Sequence, residues 1–119
     1  MKGIRPDDLV YVDVEIEFNL KKFTSLEIDL RHINNGSKAT RSTQYSVDEV
    51  VEIVRKFLSG RVEVAISKTG YGYINCDYFL IEDYFEGKRF KLIICECSDR
   101  PNAIGIITLF RIWSNDEKF

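Results

Sequence analysis

A chain of 119 residues suits one domain of ordinary size, and with 45% apolar and 30% charged residues it has material for both a core and a solvated surface, which excludes disorder. Seventeen Lys and Arg stand against nineteen Asp and Glu, a net charge of −2, so no whole-chain basic excess marks a general nucleic-acid coat. No apolar run approaches the roughly 20 residues that span a bilayer, and the first eight residues lack the apolar stretch of a signal peptide. The expectation is a single cytoplasmic domain over residues 1–119, with no membrane association, a loose entry at 1–8 and a frayed tail at 114–119.

The first element is a strand. Val12, Val14, Ile16 and Phe18 alternate with Asp13, Glu15 and Glu17, the period of two that buries one face. Asn19 to Lys22 reads as a turn. Leu26, Ile28 and Leu30 then alternate with Glu27, Asp29 and Arg31, so the two strands should form an antiparallel hairpin. His32 falls in phase with the apolar set, at the strand's end. Asn34-Asn35-Gly36-Ser37 signals a turn, and residues 38–45 are polar without a period.

Ser46 opens the main helix. Ser46-Val47-Asp48-Glu49 is a capping box, in which the hydroxyl takes a backbone N–H three residues on and Glu49 reaches back. Val47, Val50, Val51, Val54, Phe57 and Leu58 form one apolar stripe. Acids early and Arg55 and Lys56 late suit the helix dipole, and Gly60 is a candidate left-handed cap. Strands follow: Val62, Val64 and Ile66; Ile74, Cys76, Tyr78 and Leu80; Phe90 to Cys97; Ala103 to Trp113. Turns fall at Thr69-Gly70-Tyr71-Gly72, Glu86-Gly87 and Ser98 to Asn102. The expected fold is α+β in two layers: an N-terminal β-hairpin and one main amphipathic helix packed on an antiparallel sheet, in the order β-β-α-β-β-β-β.

The three cysteines are expected to be reduced, buried and inert, acting as small hydrophobes. With one His in the chain, no metal-ligand spacing is present, and neither metal nor cofactor is expected.

Chemistry concentrates in one stretch. Residues 1–30 hold four bases and seven acids, whereas residues 31–61 hold six bases and three acids. A local basic zone guides a polyanion to one place. Arg31 to Tyr45 holds the only His, the cations Arg31, Lys38 and Arg41, hydroxyls including Ser42, and Tyr45. Histidine exchanges protons near neutral pH. Lys38 or Arg41 suits a phosphate on which charge develops, and Tyr45 suits stacking on a base or proton transfer. Thr108 and Arg111 interrupt the apolar last strand and need a partner or an edge. Arg111 either pairs with a carboxylate or points into a cleft as a phosphate clamp. Tyr71, Tyr73, Tyr78 and Tyr84 either stack on bases, with Tyr71 the foremost because of its Gly-Tyr-Gly turn, or cover the sheet.

The order of these features resembles small metal-independent ribonuclease toxins, the superfamily that joins RelE-type toxins, colicin D-type and EndoU-type nucleases and barnase. The residues that carry the likeness are His32 before a Gly-Ser turn, the Lys/Arg stretch, the Ser-capped helix and Ile106-Ile107-Thr108-Leu109-Phe110 on the final strand, over roughly Leu26 to Ile112. The resemblance implies an endoribonuclease toxin of a toxin–antitoxin or contact-dependent system, with RNA as substrate and a cognate antitoxin as partner. It implies His32 as general acid/base, Lys38 or Arg41 as the phosphate-stabilising cation and Thr108 lining the site from the last strand, with Arg111 a further candidate. By their own chemistry Arg31, Ser42, Tyr45, Tyr71 and Arg111 are the residues expected to bind substrate. The competing expectation is a binding protein without catalysis, such as a toxin-immunity protein. In it, the acidic strand of Asp13, Glu15 and Glu17 faces a basic partner.

Overall fold

The computed structural model describes residues 9–35, 45–68 and 76–112. In chain order they form β1 (Val10–Phe18), β2 (Lys21–Ile28), α1 (Leu30–Asn35), α2 (Val47–Leu58), β3 (Ser67–Lys68), β4 (Cys76–Phe85), β5 (Lys88–Cys97) and β6 (Ala103–Arg111). The class is α+β, as the alternating patterns require. The expected order is corrected by one added short helix, α1.

The six strands lie in the order β1-β2-β6-β5-β4-β3. The β1–β2 hairpin is antiparallel, as are all pairs from β3 to β6. The hairpin joins the meander through a parallel β2–β6 pair, with Ile28 opposite Ile106. This corrects the expectation of a purely antiparallel sheet. A parallel pair needs a long crossover connection, and here the chain between β2 and β6 runs through both helices and three strands.

Helix α2 forms where the capping box lies. The Ser46 Oγ accepts the Glu49 backbone N–H at 3.1 Å, and the Ser46 N–H donates to Glu49 Oε1 at 2.8 Å. Its buried stripe is Val50, Ile53, Val54, Phe57 and Leu58. These side chains meet Phe79 and Ile81 of β4, Phe90, Leu92 and Ile94 of β5, and Ile104, Ile106 and Leu109 of β6 in one core. The sheet curls around that core. Phe18 of β1 and Phe79 of β4 sit four strands apart, about 19 Å in a flat sheet, yet their rings meet edge-on with centroids 5.2 Å apart.

Residues 62–66 depart from the expected strand. Among the described residues, strand pairing here covers Ser67–Lys68 alone. Val62, Val64 and Ile66 are exposed, 62%, 85% and 50%, while Ala65 packs toward the core. The alternation is real, but the apolar row faces outward. The segment spans the gap between the two sheet edges: Arg61 bridges Phe18 of β1, and the Ile66 N–H donates to the Tyr78 carbonyl of β4. Arg61 also pairs with Asp83 and Glu63.

The cysteines depart from expectation too. Cys76 and Cys97 face one another across β4 and β5 and form a disulfide. Cys95 alone is a buried free thiol, its sulfur 3.9 Å from that of Cys97. With Tyr78 and Ile107 they make a second, smaller cluster on the opposite face of the sheet. Gly105 lies beneath Cys95, where an added Cβ would stand 2.6 Å from its sulfur. Burial pushes the Cys95 thiol up to about 12, against the nearby Arg100 charge. Among the described residues, no helix is long and apolar enough to cross a membrane.

Candidate functional site

His32 is not at a strand end. The strand stops at Ile28, and Asp29 caps a helix in its place: its Oδ1 accepts the His32 backbone N–H at 3.1 Å, and its carbonyl accepts that of Ile33 at 3.0 Å. An Asp with a free carboxylate at the first turn favours helix over strand. Ile33 of α1 enters the core, whereas Arg31 and His32 are exposed.

Two contacts fix α1. Because β2 runs parallel to β6 and the Asp29 N–H donates to the Ile106 carbonyl, the chain leaving β2 continues beside β6 beyond Ile106, and α1 packs there. Six helical residues rise about 9 Å, comparable to about three residues of strand. The second contact is a clamp. The Asn34 Nδ2 donates to the Tyr45 carbonyl at 3.0 Å, and the Tyr45 N–H donates to Asn34 Oδ1 at 2.8 Å. One side-chain amide thereby satisfies both backbone groups of Tyr45 and joins the end of α1 to the entry of α2.

Tyr45 stands at a cavity of about 350 Å3 between α2, the β4–β5 hairpin and the end of β6. Its ring meets Phe90 edge-on, with centroids 6.4 Å apart, and Phe85 adds a third aromatic wall. Burial raises the Tyr45 hydroxyl's pKa, the Glu49 carboxylate adds to the rise, and the Arg111 charge opposes it. Arg111 is therefore close enough to act on Tyr45, and both line the cavity. Glu52, Glu86 and Lys88 complete its polar rim.

The candidate residues divide. Arg31 and His32 share α1, which is clamped to Tyr45, and Tyr45 shares a cavity with Arg111. Thr108 does not reach that cavity. It lies opposite Ile93, whereas Arg111 lies opposite core-facing Phe90. Ile93 and Phe90 are three residues apart on β5, so Thr108 and Arg111 point to opposite faces. Lys38, Arg41, Ser42 and Tyr71 lie outside the described residues. Lys38 and Arg41 belong to the segment between Asn34 and Tyr45, the two ends that the clamp joins.

Sequence reasoning passed over Asn34, which it read only as part of a turn, and the carboxylates Glu52 and Glu86. The available signal was a pair of amides just before a polar stretch, the residue type that bonds most readily to nearby backbone. Among the described residues, no three His, Cys, Asp or Glu side chains are grouped as a metal ion requires. Comparisons with protein-family models, characterised proteins and solved structures find no match.

Proposed function

We propose that the chain is a metal-independent endoribonuclease of the toxin type, acting on RNA bound beside α1 and the Tyr45–Arg111 cavity. The observation that carries this reading is the Asn34–Tyr45 clamp, which joins the His32 helix to the side chain that shares a cavity with Arg111. RNA cleavage without metal needs a base for the 2′-hydroxyl, an acid for the leaving oxygen and a cation on the phosphate. In this reading His32 moves the proton, reaching solvent and substrate from an exposed position. Arg111 and Arg31 hold the phosphate, with Lys38 or Arg41 as the cation that strengthens its hold in the transition state. Tyr45 stacks on the base beside it. Thr108, on the other face, has no part in the chemistry.

The test is induced expression. Wild-type protein should arrest growth and degrade cellular RNA, and His32→Ala should relieve both while remaining folded. Unimpaired growth with soluble wild-type protein, and intact RNA after incubation with it, would remove the reading.

A second reading rests on β1. This strand lies at the sheet's edge, and its outward row is Tyr11, Asp13, Glu15 and Glu17, all exposed and with no ion pair among the described residues. Such a row suits a basic protein partner, as in a toxin-immunity protein. It predicts a complex with a basic toxin that dissociates at high salt, and that Asp13→Lys with Glu15→Lys abolishes.

A further inference from the structure

We infer that the cavity behind Tyr45 is a base pocket, which takes one unpaired nucleobase bearing an exocyclic amino group and holds that group on the carboxylates of Glu52 and Glu86. The inference rests on the ribonucleolytic reading and adds to it the part of the RNA that is recognised.

Shape and chemistry agree. The volume of about 350 Å3 falls at the lower end of small-ligand sites and admits a flat ring but not a paired duplex. Tyr45, Phe85 and Phe90 supply apolar aromatic walls, the surface on which unstacked bases rest. The rim carries both signs. Neither Glu52 nor Glu86 has a hydrogen-bond or ion-pair partner among the described residues. Glu49, by contrast, is already engaged in the helix cap. Two uncommitted carboxylates beside a hydrophobic slot repel a phosphate and accept N–H donors. A carboxylate accepting from a base amino group is an established pairing. Arg111 lines the same cavity and is the cation nearest in kind to the need of the attached phosphate. A plain cation site fits less well, because Lys88 and Arg111 already bring positive charge to the same walls.

Isothermal titration of the full chain with adenosine, cytidine, guanosine and uridine monophosphates, and with ribose 5-phosphate, tests the pocket directly. The three amino-bearing nucleotides should bind about tenfold more tightly than uridine monophosphate, and ribose 5-phosphate should not bind measurably. Glu52→Ala, on an exposed helical position, should remove most of that preference. Glu86→Gly, which suits the left-handed backbone there (φ +53°) and removes the acceptor, should do the same. Indistinguishable binding of all five compounds, no saturable binding at all, or unchanged preference in both variants would overturn the pocket. RNA cleavage by wild-type protein without nucleotide binding would overturn the pocket alone. Selective nucleotide binding without cleavage would support the pocket and overturn the nuclease reading.

Discussion

Replacing Asn34 with Ala severs the clamp on which the arrangement of the site depends. Two hydrogen bonds are lost, at 2.8 and 3.0 Å, and both involve half-buried groups. At about 1 kcal/mol net for each, the variant should be about 2 kcal/mol less stable. A chain of this length unfolds with an entropy of about 250 cal/mol/K, so each kcal/mol is worth about 4 °C, and the melting temperature should fall by about 8 °C. Asn34→Asp keeps the acceptor for the Tyr45 N–H and loses the donor to its carbonyl, so it should fall between. Amide exchange locates the effect: the Tyr45 N–H should be protected in wild type and exchange faster in Asn34→Ala. Degradation of RNA should weaken in step, since the His32 helix is no longer tied to the Tyr45 side. A melting temperature within about 2 °C of wild type, with Tyr45 still protected, would refute the clamp.

Other parts of the fold make separate predictions, each read by thermal or denaturant unfolding. Leu20 is 80% exposed in a left-handed turn position (φ +65°), so Leu20→Gly should stabilise by about 1 kcal/mol; a loss of stability would contradict the turn. Ser46→Ala removes one half of the capping box and should cost about 1 kcal/mol, and an unchanged melting temperature would argue that the helix does not start there. Reduction of the Cys76–Cys97 disulfide frees a separation of 21 residues, which loop entropy values at about 3 kcal/mol; equal melting with and without reductant would place both thiols in the reduced state. Cys95 has a folded pKa raised to about 12 by burial. Its stabilising effect is complete below the ordinary thiol range and is lost as pH rises toward 12, by about 2 kcal/mol at pH 10.5. Cys95→Ala should remove that alkaline slope, and an identical slope would show that Cys95 is not its source.

The parts of the fold that local chemistry dictates were legible in the sequence. Strict alternation from Val12 to Phe18 marks β1, and Ser46 with Glu49 marks the start of α2. The parts set by distant contacts were not. Leu30 continues the alternation of Leu26 and Ile28, but the Asp29 carboxylate turns the chain into α1 and leaves His32 on a helix. Val62, Val64 and Ile66 alternate as a strand does, yet the segment that bridges the two sheet edges needs Ala65 inward, so the valines face outward. The parallel β2–β6 pair leaves no mark in either strand. Arg111 announced itself as a guanidinium in an apolar run, and the structure sets it on the cavity that Tyr45 also lines. Thr108 shared that run, yet it stands three residues from Arg111 on an unbroken stretch of strand, so the period of two already sets the two side chains on opposite faces. Glu52 and Glu86 were invisible as a pair because one lies on α2 and the other in the β4–β5 turn.

The most direct measurement is cleavage of a single-stranded RNA by purified protein in the presence of a chelator, wild type beside His32→Ala and Arg111→Ala, each checked for folding. Wild type should cut and leave 2′,3′-cyclic phosphate ends, His32→Ala should be inactive, and Arg111→Ala should be strongly impaired. Equal cutting by wild type and His32→Ala, or none by any of the three, would contradict the account.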